Sequence, residues 1–212
     1  MSIIKLAIFD LDKTVIDSDS MFQFVRYAIR RSPAQLLRLP AIAAHTLLFK
    51  LGLLSVESAK RSYFHAIATM TERDLERFYE QVLSRSIYPQ AAEEMRKRKQ
   101  EGCHVLLVTA SPHAYAKFFG SLPEVDGVIG TLLAPGADGC GYTSTIEGRN
   151  CKGQEKVRRI RRYLEERGLE IDFVRSCAYS DSLSDLPVME LAARKYFINR
   201  RVPGAEELRW RR

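Results

Sequence analysis

Cysteine is scarce in this 212-residue chain, and its spacing argues against a Cys-x-x-Cys redox motif and against a zinc site. No two cysteines form a Cys-x-x-Cys pair, and none combines with histidine in an arrangement typical of zinc sites. The four are Cys103, Cys140, Cys151 and Cys177. We interpret them as reduced thiols without a metal-binding role.

The chain also lacks an apolar run long enough to cross a membrane. Its most apolar part, residues 36–54, is interrupted by Arg38, Pro40, His45 and Lys50, whereas a spanning helix needs about 20 predominantly apolar residues. Two interpretations stay open for this stretch. It is either a core helix of a small bundle or an interfacial surface whose leucines enter lipid while nearby basic residues meet anionic head groups.

We expect no secretory signal either, because the first residues lead directly into a predicted strand. We therefore expect a cytoplasmic protein, with the inner membrane surface as a further option. With 46% hydrophobic and 28% charged residues, the composition predicts a globular domain and excludes a disordered chain.

The net charge of +7 favours anionic partners: phosphorylated substrates, an anionic membrane or nucleic acid. Nucleic acid is the least favoured of these. The basic residues of 158–167 are not interleaved with an aromatic stacking platform. We keep a non-catalytic nucleic-acid-binding module only as a minor alternative and expect no nucleic-acid partner.

An apolar segment near the start, residues 4–9, ends abruptly on Asp10 and Asp12. Its apolar density predicts a central parallel strand covered on both faces, and sites in such sheets lie beyond the carboxyl ends of the strands. Two carboxylates this close repel each other unless a cation or a shared proton compensates. Carboxylate oxygens suit Mg²⁺, so a magnesium site is one interpretation. A solvated strand end with a helix N-cap at Asp12 or Thr14 is the other, and the rest of the chain must decide between them.

Two further apolar segments also end on polar residues. Residues 104–109 lead into Thr109-Ala110-Ser-Pro, where a hydroxyl and backbone amides at a helix start suit an anion. Residues 173–179 lead into a segment that contains Asp181 and Asp185. If these strands are parallel neighbours of the first one, their polar ends meet at one edge of the sheet.

A basic helix is predicted from about residue 150 to residue 167. Two lysines near its start, Lys152 and Lys156, are candidates for the one that lies beside the carboxylates. Lys156 directly precedes the apolar stripe of the helix and should therefore point with the packed face. Lys152 stands in the preceding loop and remains the alternative. The sequence favours Lys156.

The remaining segments complete the predicted outline. Residues 17–100 show no strand-like alternation and predict several helices. Residues 125–148 predict a short antiparallel excursion, and residues 196–198 a last strand. For the tail, residues 209–212, we expect a frayed basic end.

Taken in order, these motifs resemble those of the haloacid dehalogenase superfamily, in its phosphoserine-phosphatase-like branch. The residues that carry the resemblance are Asp-Leu-Asp-Lys-Thr at 10–14, Thr109, Lys156, and Asp-Ser-Leu-Ser-Asp-Leu-Pro at 181–187. The resemblance implies an α/β, Rossmann-like core with a central parallel sheet, formed by residues 1–16 and 101–212. Residues 17–100 would form a helical C1 cap.

The resemblance also implies a reaction, the Mg²⁺-dependent hydrolysis of a phosphomonoester. Asp10 would be the nucleophile that forms an aspartyl-phosphate, which splits one displacement into two easier ones. Asp12 would be the general acid and then the general base. Lys156 would neutralise the nucleophile and the phosphoryl charge.

The other predicted site residues bind the phosphoryl group or the metal. The Thr109 hydroxyl and the Ala110 amide would hold phosphoryl oxygens, and Asp185 would orient a metal-bound water or Lys156. Magnesium would be held by Asp10, Asp181 and the backbone carbonyl of Asp12.

The substrate is less well indicated than the reaction. Asp19 lies where phosphoserine phosphatases have a cap acid that holds the substrate amine, but an aspartate is shorter than the usual glutamate. The cap and motif residues together also resemble bacterial phosphatidylglycerophosphatases C. We therefore expect a phospholipid head group as substrate, with residues 22–54 contacting an anionic membrane; a soluble small-metabolite phosphatase, such as phosphoserine phosphatase, is the alternative.

Overall fold

The computed structural model describes residues 2–136 and 139–212. Its strands are β1 Ser2–Phe9, β2 Cys103–Pro112, β3 Gly127–Thr131, β4 Leu133–Pro135, β5 Tyr142–Ile146, β6 Leu169–Ile171, β7 Cys177–Ser180, β8 Arg194–Ile198 and β9 Glu206–Leu208. Its α-helices are α1 Ser20–Arg31, α2 Leu39–Lys50, α3 Val56–Phe64, α4 Glu72–Phe78, α5 Pro89–Gln100, α6 His113–Ala116, α7 Gln154–Glu165 and α8 Leu186–Met189.

Strand β1 lies at the centre of a parallel sheet. The strand order is β3-β2-β1-β7-β8-β9, and the short β6 pairs with the beginning of β1. Every pairing in this sheet is parallel. The predicted α/β class with a central parallel sheet is therefore confirmed.

Both faces of β1 are buried because its side chains alternate between two apolar clusters. Ala7 and Phe9 pack with residues from the helical segment and from α5, whereas Leu6 and Ile8 pack with α7 and α8. The Phe9 ring stacks on Tyr179 of β7 with centroids 4.1 Å apart. This packing fixes the strand end that carries Asp10.

The segment between β1 and β2 is helical, as the sequence predicts. Its last helix, α5, packs against the sheet: Ala91 and Met95 are buried in the same cluster as Phe9, and Nε of Arg98 donates to the Tyr179 hydroxyl at 2.7 Å. These contacts place α5 with the sheet layer. The division into a core and a cap of residues 17–100 remains a prediction.

The apolar stretch of residues 36–54 does not form a core helix, so that interpretation is wrong. A 3₁₀ segment, Pro33–Arg38, leads into α2, and neither contains a buried residue. Leu37 is 83% exposed and Leu53 is 71% exposed. Because apolar residues occupy all sides of α2, periodicity could not show which side, if any, would be covered.

Three local predictions also need correction. Residues 127–131 form a parallel strand of the main sheet, and only β4 and β5 make the antiparallel excursion. The strand predicted from residue 173 begins at Cys177, and Phe173 is exposed. The tail is not frayed: Trp210 is buried and contacts the Tyr88 ring edge-on at 6.0 Å.

None of the helices in the described part of the chain combines the length and apolarity that a membrane crossing requires.

Candidate active site

The ends of β1, β2 and β7 meet at one cavity of about 480 Å³. Parallel strands bring their carboxyl ends to the same sheet edge, so residues far apart in sequence converge there. The predicted site residues that line it are Asp10, Asp12, Asp19, Ala110, Lys156, Asp181 and Asp185. The helical segment covers it with Met21, Thr46, Phe49, Val56, Ala59, Lys60 and Tyr63.

Lys156 is the lysine that reaches the carboxylates. Its Nζ donates to Oδ1 of Asp10 at 2.6 Å and to Oδ2 of Asp185 at 2.8 Å, and all three side chains are buried. Lys152 lines the same cavity from the loop before α7. The geometry favours Lys156 for the predicted role beside Asp10.

The charges in this group influence one another strongly because water is excluded. Burial raises the pKa of Asp10 to about 7, and the neighbouring carboxylates add to that rise while Lys156 opposes it. Burial alone would lower the pKa of Lys156, but Asp10 and Asp185 raise it above its ordinary value. Lys156 therefore stays protonated and favours ionised partners.

Asp12 is held from two sides. Its Oδ2 accepts a hydrogen bond from the Ser111 hydroxyl and its Oδ1 one from the Ser20 amide, both at 2.6 Å. Burial raises the pKa of this carboxyl, and the two bonds oppose the rise. Ser111 belongs to β2 and Ser20 to α1, so Asp12 connects the sheet with the helical segment.

Thr109 is buried but does not line the cavity. Its hydroxyl accepts from the Ser111 amide at 3.0 Å and lies 3.4 Å from Oδ2 of Asp12. The next residue, Ala110, does reach the cavity. The predicted phosphoryl contacts of Thr109 and Ala110 remain predictions, and the position of Ser111 makes it a further candidate.

Lys60 is a site residue that the sequence analysis missed. From α3, its Nζ donates to the Ala110 carbonyl at 2.7 Å and to Oδ1 of Asn150 at 2.8 Å. Burial lowers its pKa to about 8; Lys152 also lowers it, while Asp12 and Asp19 oppose the change. An amphipathic helix pattern gives no signal that one of its lysines turns inward, so sequence alone could not identify it.

Asp19 lies at the edge of the cavity as the N-cap of α1. Its Oδ1 accepts from the Phe22 amide at 2.9 Å, and the residue is exposed. This capping contact explains its local position. Its predicted contact with a substrate amine remains a prediction.

Asp181 is placed beside Asp10 by Thr14. The Thr14 hydroxyl accepts from the Asp181 amide at 3.0 Å and lies 3.4 Å from Oδ2 of Asp10. On its other side, the Asp181 carbonyl accepts from Arg200 at 3.0 Å. Burial raises the pKa of Asp181 and the Asp185 charge adds to the rise, while Lys13 and Arg200 oppose it.

The donor set fits a magnesium ion. Among the described residues no three acidic, histidine or cysteine side chains form a ready metal cluster. The predicted ligands include only two such side chains, because the third ligand is a backbone carbonyl. This agrees with Mg²⁺, which usually takes one or two protein carboxylates. Buried Oδ1 of Asp185 lacks a hydrogen-bond partner within the described chain, which agrees with a site that gains a further polar group when loaded.

A comparison with known families identifies this arrangement. The sequence profile of the haloacid dehalogenase-like hydrolases matches residues 7–190. The chain belongs to this family. The predicted enzyme class, a phosphatase of the haloacid dehalogenase type, is thereby confirmed. The narrower resemblance to phosphatidylglycerophosphatases C remains a prediction.

Individual relatives and solved structures are similar to this chain over most of its length. The histidinol-phosphatase of Neisseria meningitidis serogroup C (strain 8013) is 26% identical over 207 residues, which cover 95% of this chain and 91% of that protein. A protein of unknown function from Bordetella pertussis Tohama I has a similar structure, with a TM-score of 0.83, 25% identity and coverage of 98% and 99%. A phosphoserine phosphatase structure, with a TM-score of 0.64, 17% identity and coverage of 92% and 86%, shares the fold.

Proposed function

We propose that this phosphatase hydrolyses a phosphomonoester through a phosphorylated Asp10. The observation that carries the proposal is the 2.6 Å contact between Lys156 and Oδ1 of Asp10, because it leaves Oδ2 with only a 3.4 Å contact to Thr14. In the first step, Oδ2 attacks phosphorus while the bond to the leaving alkoxide breaks. Lys156 stabilises the negative charge that accumulates around the phosphoryl group.

Asp12 supplies the proton transfers of both steps. In the first step its carboxyl group gives a proton to the leaving alcohol. In the second step the resulting carboxylate takes a proton from the water that attacks the phosphoryl group, which releases phosphate and regenerates Asp10. Ser111 and Ser20 hold the carboxyl group in place.

The metal in this proposal is Mg²⁺. Its ligands would be Asp10, Asp181 and the Asp12 carbonyl. Asp185 would not bind the ion directly but would orient a metal-bound water or Lys156. When bound, it would neutralise part of the charge on the phosphoryl oxygens.

For the substrate we propose a phospholipid head group such as phosphatidylglycerophosphate. Among the described residues, nine of the fifteen exposed large hydrophobic side chains fall between residues 22 and 53. No acidic residue occurs from position 20 to position 56, a stretch that contains five arginines and lysines. We call residues 22–53 the apolar cationic surface.

This surface continues into the cavity. Phe49 is both exposed and part of the cavity lining, and Met21, Thr46 and Val56 line the cavity beside it. A lipid could therefore keep its chains outside while its phosphate reaches Asp10. Arg31 pairs with Asp74, but the stretch itself carries only positive charges. Exposed leucines beside such charges favour an anionic bilayer over a second copy of this positively charged chain.

A soluble phosphorylated amine is the second candidate. The Neisseria meningitidis relative is named a histidinol-phosphatase, and its similarity extends over nearly the whole chain. Asp19 lines the cavity on the side of the helical segment, where its carboxylate could pair with a substrate amine. This candidate does not require the apolar cationic surface.

The deciding experiment measures phosphate release from phosphatidylglycerophosphate in mixed micelles, L-histidinol phosphate and L-phosphoserine, each with Mg²⁺. The first proposal expects the highest kcat/KM for the lipid, and a clear preference for either soluble ester would contradict it. Asp10→Asn is the control that should abolish turnover of all three.

Flotation with anionic liposomes tests the membrane contact separately. Leu37→Ser with Leu53→Ser should reduce binding, whereas Phe173→Ser with Val174→Ser changes two exposed apolar side chains elsewhere and should not. Equal loss in both double variants, or no binding by the unaltered protein, would overturn the membrane contact. Loss of binding that coincides with a monomer in place of a dimer would instead assign the surface to a second copy.

A further inference from the structure

Two short segments connect the helical insertion to the sheet, and they pair with each other. The Asp17 amide donates to the Ser86 carbonyl at 2.9 Å, and the Tyr88 amide donates to the Val15 carbonyl at 3.0 Å. We call residues 15–17 and 86–88 the paired linkers. Any movement of the insertion relative to the catalytic residues must be taken up in or next to these linkers.

The C-terminal segment contacts both linkers. One guanidinium nitrogen of Arg212 donates to Oδ2 of Asp17 at 2.7 Å, and the other donates to the carbonyl of Arg85, which directly precedes the second linker. The Trp210 ring is buried against Tyr88. These contacts join residues that belong to three separate parts of the chain.

The tail itself is fixed to the sheet. Strand β9 pairs with β8, and the Trp210 amide donates to Oδ1 of Asn199 at 2.9 Å. Asn199 adjoins Arg200, whose guanidinium donates to the carbonyl of Asp181. One continuous segment therefore contacts the linkers and the loop that carries a predicted metal ligand.

We propose that Arg212 and Trp210 are positioning residues that hold the helical insertion closed over the active site. We call the contacts of these two residues with the paired linkers the clamp. In the closed state, the insertion places the Ser20 amide on Asp12 and the Lys60 ammonium on the Ala110 carbonyl. When the clamp is weakened, both contacts are made for a smaller fraction of the time. Only the consequence for catalysis rests on the proposed function; the closure itself does not.

The main test is hydrogen exchange of backbone amides in α1 and α3, measured for Arg212→Gln and Asp17→Asn. Since the ion pair is partly exposed, we expect exchange in these helices to increase about two- to fivefold, with amides of β1 and β2 unchanged. Arg211→Gln is the matched control, because it removes the same charge from the adjacent, exposed residue.

A charge reversal separates a specific clamp from general destabilisation. Arg212→Glu and Asp17→Arg should each increase exchange in α3, and the double variant should restore most of the protection. Unchanged exchange in Arg212→Gln, or a double variant no better than the singles, would overturn the proposal.

Kinetics and fluorescence add two independent readouts. For whichever phosphomonoester is turned over, kcat/KM should fall in Arg212→Gln by the factor by which the closed fraction of the protein falls, and it should not change in Arg211→Gln. If exchange responds and no ester is hydrolysed by the unaltered protein, the clamp stands and the proposed function fails. Trp210 is the single tryptophan, so its emission should shift to longer wavelength in Asp17→Arg if it acts together with the Arg212–Asp17 pair; an unchanged spectrum would exclude Trp210 as a positioning residue coupled to that pair.

Discussion

The ammonium of Lys156 lies 2.6 Å from Oδ1 of Asp10, although one residue comes from the first turn of α7 and the other from the end of β1. Asp185 accepts from the same nitrogen. One buried positive charge thus serves two buried carboxylates. Such a group is costly to separate, because removing one partner leaves uncompensated charge away from water.

Lys156→Met should therefore lower both activity and stability. We expect kcat/KM to fall at least about 100-fold, since a group that stabilises transition-state charge is lost. The free energy of unfolding should fall by about 3–5 kcal/mol because two carboxylates lose their cation. Steady-state kinetics and urea denaturation measure the two effects.

Lys152→Met is the matched control for this prediction. Lys152 lines the cavity but none of the described hydrogen bonds joins it to Asp10. Its replacement should leave the free energy of unfolding nearly unchanged and lower kcat/KM far less. A larger loss in Lys152→Met than in Lys156→Met would reverse the assignment of the two lysines.

Removal of divalent metal should abolish turnover, and Mg²⁺ should restore it. A readout independent of activity is thermal unfolding, because a ligand that binds only the folded state raises Tm. We expect Mg²⁺ to raise Tm of the unaltered protein but to have a much smaller effect on Asp181→Asn. An equal rise in both would show that Asp181 does not hold the ion.

Lys60 should give substrate binding an alkaline limit. Its pKa is lowered to about 8 by burial, so its ammonium is charged below that pH and loses its charge above it. The attraction for an anionic phosphate should therefore weaken, and KM should rise, as pH increases through about 8.

Lys60→Arg tests whether this limit belongs to Lys60. A guanidinium remains protonated throughout that range, so the rise in KM should disappear in this variant even if its absolute KM differs. The inhibition constant of inorganic phosphate, measured from pH 6.5 to 9.5, provides the same comparison without turnover. An unchanged alkaline limit in Lys60→Arg would exclude Lys60 as its source.

The part of the candidate site that lies at strand ends could be predicted from the sequence. Apolar runs that stop on Asp10, Thr109 and Asp181 place those residues at one edge of a parallel sheet, because that edge is common to all three strands. Lys156 was recognisable from the apolar stripe that follows it. These signals are local, and they need only the sheet to bring them together.

Other features depend on long-range packing and have no local signal. Lys60 reaches Ala110 across 50 positions, and Ser111 looks like an ordinary residue of a strand-to-helix turn until Asp12 is placed beside it. The burial of Trp210 depends on Tyr88, more than a hundred residues earlier. Helix α2 is apolar on all sides, so its sequence pattern predicts burial, yet none of its residues is buried.

A last prediction concerns the distance between β3 and the segment that carries Ser111. A Cβ atom at Gly130 would lie 2.8 Å from the backbone nitrogen of His113 and 3.0 Å from the Ser111 carbonyl. The first contact is closer than real Cβ atoms come and the second is unusually tight, and backbone atoms cannot rotate away as a side chain can. Gly130→Ala should therefore displace residues 111–113 and with them the Ser111 hydroxyl that holds Asp12 at 2.6 Å.

We expect Gly130→Ala to lower kcat about 10- to 100-fold, the effect of a small misplacement of catalytic groups, and to destabilise the fold by about 1–3 kcal/mol. Gly120→Ala is the control, because its Cβ would meet only a Val128 methyl group at 3.8 Å. Kinetics at a temperature well below both Tm values separates the loss of activity from unfolding. If Gly130→Ala kept full kcat, the prediction that a displacement of residues 111–113 impairs proton transfer by Asp12 would be wrong.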